Sequence, residues 1–126
     1  MTKVSTTHAD LIEEMGPVLD RASTADGHTV ELVTFKEHVD MTPVLASLPG
    51  GNCSCPHWGY VFSGRMTVHY ADHDDVIEAG DAFYMAPGHV PEVVAGTEFV
   101  MFSPADLLAE TEAAIAEGMQ EAASAG

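Results

Sequence analysis

The densest set of groups able to do chemistry in this 126-residue chain is Cys53-Ser54-Cys55-Pro56-His57, with a further imidazole at His89 after Ala86-Pro87-Gly88. In an extended chain residues i, i+2 and i+4 share a face, so Cys53, Cys55 and His57 can all look inward. Thiolate sulfur with imidazole nitrogen suits a divalent transition metal, Zn²⁺ first and then Fe²⁺ or copper, over a hard ion such as Mg²⁺. Spacing limits how many of them act together. A straight strand puts Cys53 and His57 roughly 13–14 Å apart at Cα, whereas the metal bonds are only about 2.0–2.3 Å long. Either the chain bends, for which Pro56 and Pro49-Gly50-Gly51 give grounds, or only Cys55 and His57 bind. Further ligands must come from elsewhere in the fold, and His89 is the leading one.

A frame of short strands is what the rest of the chain offers to hold these groups. From His28 to Pro104 turn signals recur about every eight residues: Ser63-Gly64, Ala71-Asp72-His73-Asp74-Asp75, Ala79-Gly80-Asp81, Ala86-Pro87-Gly88 and Ala95-Gly96. Between them run β-branched and aromatic segments, which predicts antiparallel strands at 29–37, 44–48, 57–62, 66–70, 75–78, 82–85, 92–94 and 98–102. No helix-length 3.6-residue pattern interrupts them, which argues against an α/β unit. A short N-terminal helix is expected, capped by Thr6 or Thr7 and carrying Leu11, Ile12 and Met15, with Gly16-Pro17 as its stop and a small polar linker reaching to residue 28. At the other end Ser103 is placed to cap a helix over 104–126, with Pro104 at its first position and Asp106 near the positive end of the dipole. Leu107, Leu108, Ala114, Ile115 and Met119 form its apolar face. The whole is read as one all-β domain over 1–126: helix and linker at 1–28, a β-barrel at 29–103, and the final helix.

Composition bounds the partners. Four basic residues stand against twenty acidic ones, a formal charge of −16. Nucleic acid and anionic membrane need Lys and Arg to replace their counterions, so neither is expected as a partner. With 46% of residues apolar the chain is too hydrophobic to be disordered merely because it is charged. No apolar run approaches the roughly 18 residues that cross a bilayer, and the first residues lack the apolar stretch of a signal peptide, so the cytoplasm is the expected compartment. One residue between Cys53 and Cys55 makes a bridge between them badly strained, so reduced thiols are expected.

Two segments carry a family resemblance. Cys55-Pro56-His57-Trp58-Gly59-Tyr60-Val61-Phe62-Ser63-Gly64, followed about fifteen residues later by Gly80-Asp81-Ala82-Phe83-Tyr84-Met85-Ala86-Pro87-Gly88-His89, resembles the two motifs of the cupin superfamily, over about residues 30 to 103. The resemblance implies a small cupin-like β-barrel of the jelly-roll type, with a metal near its open end that many members bind through three His and one Glu. Counting back from Gly64, His57 falls where that Glu stands, Cys53 at the second His of the first motif and Gly51 at the first. Pro91 falls at the His of the second motif, two residues after His89. The usual ligands are therefore absent, and the resemblance leaves a Cys/His variant drawn from Cys53, Cys55, His57 and His89. It also favours a turn at Ser54-Cys55-Pro56, bringing Cys53 and His57 together.

Around that site Trp58, Tyr60, Phe83 and Met85 are expected to shape a pocket, with His69 and Tyr84 at lumen-facing strand positions. Glu92 and Glu98 could bring a carboxylate near the mouth, while His38, Asp40 and His73 read as surface groups. No nucleophile motif, phosphate-cradling loop or Walker pattern is present. Two functions remain: a metallo-barrel acting on a small organic substrate, or a ligand-binding or sensing barrel with a structural metal or none. Barrels of this kind commonly pair through an edge strand or a terminal segment, so a homodimer is expected.

Overall fold

The computed structural model describes residues 3–125; Met1, Thr2 and Gly126, the outermost positions of the expected domain, lie outside the described residues. Among the described residues ten strands and two α-helices succeed one another, with a single 3-10 turn at Pro49–Gly51: β1 (Leu11–Met15), β2 (Val18–Ala25), β3 (His28–Phe35), β4 (Val39–Asp40), α1 (Thr42–Leu45), β5 (His57–Ser63), β6 (Arg65–His69), β7 (Asp74–Glu78), β8 (Ala82–Met85), β9 (Val90–Val93), β10 (Glu98–Pro104) and α2 (Ala105–Ala125). They form two antiparallel sheets, one in the order β1-β2-β3-β10-β5-β8 and one in the order β4-β9-β6-β7.

The core lies between the sheets. Val33, Phe35, Val61, Phe83, Met85 and Phe99 from the larger sheet meet Met66, Val68, Ile77 and Val93 from the smaller one. Each fully buried side chain of this size contributes roughly 1.5–3 kcal/mol of transfer free energy. A second cluster, Leu45, Leu48, Cys53, Cys55 and Leu108, joins α1 and the segment after it to α2, with Ala114 and Ile115 packed against it. The helix α2 therefore covers one end of the space between the sheets.

Three expectations about the elements are corrected. Residues 11–15 form an edge strand, not a helix, and 18–25 form a strand, not a linker. The Gly16-Pro17 pair that looked like a helix stop is the turn of a hairpin, across which Met15 pairs with Val18 and Leu11 with Ala22. Every residue of β1 is exposed, so its apolar stripe never had a core to face. The small residues of β2 are paired on both sides, with β1 and with β3, and those backbone hydrogen bonds compensate for weak strand propensity. The segment expected as a strand at 44–48 is instead the short helix α1 and the turn that follows. Pro43 stands in its first turn, and the Asp40 carboxylate accepts from the Thr42 amide at 2.9 Å.

Candidate metal centre

Cys53 lies outside the named strands but makes a single bridge to His89. The Cys53 amide donates to the His89 carbonyl at 2.9 Å, and the Cys53 carbonyl accepts from the Gly88 and His89 amides at 2.8 and 3.2 Å. Gly88 has φ +97°, a left-handed conformation that lets the Ala86–His89 turn fold back onto Cys53. His57, the first residue of β5, pairs with Met85 at the end of β8 and so arrives beside the same turn. The segment 54–56 is not a strand, which removes the separation of a straight chain. As a result the Cys53 sulfur and one nitrogen each of His57 and His89 all lie within 4.8 Å of one another.

Both imidazoles are held by their Nδ1 atoms. His89 Nδ1 lies 2.6 Å from the Ala86 carbonyl oxygen. A carbonyl only accepts, so Nδ1 carries the proton and Nε2 presents a bare lone pair. His57 Nδ1 lies 2.6 Å from the hydroxyl of Ser103, which is fully buried. Metal-bound imidazoles are characteristically anchored in this way through the second ring nitrogen. The rings sit 5.0 Å apart, centroid to centroid.

The electrostatics favour neutral rings. Burial, followed by the neighbouring His89, pushes the His57 pKa down to about 3. Burial also lowers His89, against the opposing pull of the Ala86 carbonyl. An unprotonated imidazole is the form a metal needs. Burial raises the Cys53 thiol, so without an ion it is a thiol, and a bound cation is what would favour the thiolate. Neutral imidazoles and a buried sulfur within 4.8 Å are within about 1.5 Å of the separations set by tetrahedral bonds of roughly 2.0–2.3 Å. The donor set thus fits a borderline-soft transition metal.

Cys55 is placed elsewhere. It is almost completely buried among Leu45, Leu48 and Leu108, and its sulfur is not among the three convergent donors. Because 54–56 is irregular, the two-residue alternation that would have aligned it with Cys53 does not apply. Burial, then Cys53, pushes its thiol up to about 12.

The pocket expectations divide by sheet face. His57 points inward, so the two-residue period sends Trp58 and Tyr60 outward, and both are exposed. Tyr84, paired with Trp58, follows them to the outer face. These three do not line the interior, a correction to the sequence reading. Phe83 and Met85 do point into the core. His69 sits at the surface, bridging Asp74 at 2.9 Å and Glu92 at 3.1 Å; both carboxylates raise its pKa. Glu92 is taken up by His69 and His38, and Glu98 accepts from Thr34.

Sequence reasoning missed two participants. Ser103, expected as a helix cap, belongs to β10 and turns its hydroxyl to His57. Glu31 occupies the inward row Thr29-Glu31-Val33-Phe35 of β3, where the period-two pattern alone could have exposed a charge among core positions.

A cavity of about 190 Å³ adjoins the triad, with Met85, Phe99, Met101 and Ile115 among its apolar walls. No protein-family model and no curated protein sequence matches the chain. Its fold does match solved structures. One is an RmlC-like cupin from Shewanella frigidimarina, at 18% identity and a TM-score of 0.55, covering 82% of this chain and 92% of that one. Another is a protein of unknown function from Rhizobium leguminosarum, at 16% identity and 0.59, covering 82% and 94%. A third is the polyketide cyclase RemF from Streptomyces resistomycificus, at 17% identity and 0.54, covering 82% and 79%.

Proposed function

Starting from the cupin fold that these neighbours share with the chain, we propose that the protein holds a divalent transition metal, Zn²⁺ before Fe²⁺ or copper, on Cys53, His57 and His89, and acts on a small organic substrate in the adjoining cavity. The observation that carries this is the convergence of one sulfur and two imidazole nitrogens within 4.8 Å. Three protein donors suit a catalytic site, because they leave a coordination position open. When bound, such a metal supplies Lewis acidity toward a substrate oxygen or a water. The chain's own part is to orient the rings through Ala86 and Ser103 and to keep the pocket dry with Met85, Phe99 and Ile115.

A binding or sensing barrel with a closed structural site is the second reading, and one observation favours it: Cys55 shares a buried cluster with Cys53, whose thiol points to the Cys55 carbonyl at 4.0 Å. Metal analysis of the purified protein separates the readings. The proposal expects one equivalent of metal, lost in His57→Ala and His89→Ala and kept in Cys55→Ser. Loss in Cys55→Ser as well would favour the closed site, and no metal in the wild type after incubation with Zn²⁺ would refute the assignment.

Two free buried thiols suit a reducing compartment, and we take the cytoplasm as the location. Among the described residues no helix is long and apolar enough to cross a membrane. The outer face of the larger sheet exposes Trp58, Tyr60, Phe62, Tyr84 and Phe102. A contiguous exposed aromatic patch is characteristic of an interface, and a second copy of the chain is the partner we assign to it.

A further inference from the structure

Opposite the metal-ligand triad, the same cavity is walled by carboxyl groups. Asp20 on β2, Glu31 on β3 and Glu112 on α2 all line it. Glu31 is 96% buried, being 4% exposed, and its Oε1 finds no hydrogen-bond partner among the described residues. The Oδ1 atom of Asp20 is buried and unpartnered in the same way. Asp20 pairs with Val33 and Ala22 with Glu31, so the two carboxyl groups are diagonal neighbours on one sheet face. A buried acceptor without an N–H or hydroxyl donor costs on the order of the full desolvation of that group. The one hydrogen bond open to the pair is a proton held on Glu31 and shared with Asp20, and an entering cation displaces that proton to leave two carboxylates around itself.

We infer that this carboxyl pair is the binding subsite for a small organic cation, a primary ammonium or amidinium compound whose apolar body extends toward Cys53, His57 and His89. The inference deepens the proposed function and rests on it for the placement of the ligand's far end. An ammonium carries three N–H donors and a positive charge, which supply what Glu31 Oε1 and Asp20 Oδ1 lack. The apolar walls Val33, Phe35, Phe99 and Met101 would take the hydrocarbon part. A metal ion is the poorer occupant: among the described residues the Cys/His triad is the only group of three donors within reach of a single ion.

Length and access agree. Glu31 lies on β3 and His57 on β5, with β10 between them. Two strand spacings amount to roughly 10 Å, so a compound of up to ten or so heavy atoms spans the distance. Asp20, Glu31 and Glu112 also line a second, outer cavity of about 490 Å³, together with Asp10, Glu13 and Asp106. A cation reaching the pair from that side thus meets further carboxylates on the way, on a molecule whose formal charge of −16 already attracts it.

The test is calorimetric titration of the full chain, stripped of metal by chelator, with benzylamine and its neutral counterpart benzyl alcohol at pH 7. The inference expects benzylamine to bind at least tenfold tighter than the alcohol. It expects Glu31→Gln, with an unchanged circular-dichroism spectrum, to lose that preference, and Trp58→Ser, on the outer face of the sheet, to keep it. Equal affinity for the two compounds, no binding of the amine, or an undiminished preference in folded Glu31→Gln would overturn it. Because the titration uses metal-free protein, failure of the metal assignment leaves the result readable, and failure of the amine preference leaves metal uptake unaffected.

Discussion

Replacing Glu31 by Gln should make this protein more stable, and increasingly so as pH rises. Burial, followed by the facing Asp20 carboxyl, pushes the Glu31 pKa from an ordinary 4.5 up to about 10. A carboxyl whose folded pKa is raised contributes most at pH values below the unfolded pKa. Its contribution is lost as pH climbs toward the folded value, because the native state must keep a proton that the unfolded chain gives up. Each pH unit in that window costs about 1.4 kcal/mol. Between pH 4.5 and 7 the wild type therefore forgoes roughly 3 kcal/mol that Gln does not, a large part of a typical domain's 5–15 kcal/mol. Gln keeps the shape and can donate its amide N–H to Asp20, as the protonated carboxyl does, without having to retain a proton. For a domain of this size the gain corresponds to a Tm about 10 °C higher at pH 7, shrinking toward zero near pH 4.5. Thermal unfolding of both proteins from pH 4.5 to 8 measures it. A Tm difference that does not grow with pH would show that Glu31 is not held protonated, and the reasoning would fail.

Three further outcomes are expected. Gly59→Ala should cost at least about 2 kcal/mol by denaturant unfolding, because its Cβ would stand 2.1 Å from the Val100 carbonyl oxygen and 2.5 Å from the Phe83 ring; wild-type stability would mean β5 and β10 are further apart. Ser103→Ala should fold normally yet bind Zn²⁺ about 10–100-fold more weakly in a chelator competition, since His57 loses its anchor; unchanged affinity would remove Ser103 from the site. Sedimentation velocity should find a dimer that Trp58→Ser with Tyr84→Ser converts to monomer, because both rings are exposed and lie side by side, centroids 5.1 Å apart and tilted by 35°; a wild-type monomer at tens of micromolar would exclude that interface.

Legibility from sequence followed the range of the forces involved. Strands β3, β5, β6, β7, β8, β9 and β10 were readable because period-two patterns and Gly turns are local. Strands β1 and β2 were not, since a fully exposed edge and a run of small residues take their conformation from pairing, β1 with β2 and β2 with both β1 and β3, and not from an apolar pattern of their own. Similarly, Cys53, His57 and His89 were identifiable by residue type, but that Cys53 and not Cys55 faces the imidazoles depends on the Cys53–His89 bridge across 36 residues. Trp58 and Tyr60 were expected in the pocket, but in a strand they share the face opposite His57, and the inward turn of His57 sends both outward. Asp20 and Glu31 drew no notice because a carboxylate in a strand ordinarily points to water.

The convergence of one thiolate and two imidazoles on a single ion is examined most directly by X-ray absorption at the zinc edge of the Zn²⁺-loaded protein. The account predicts one sulfur scatterer at about 2.3 Å and two imidazole nitrogens at about 2.0–2.1 Å, with the sulfur shell gone in Cys53→Ser and intact in Cys55→Ser. A first shell of light atoms alone, or a sulfur shell that survives Cys53→Ser, would contradict it.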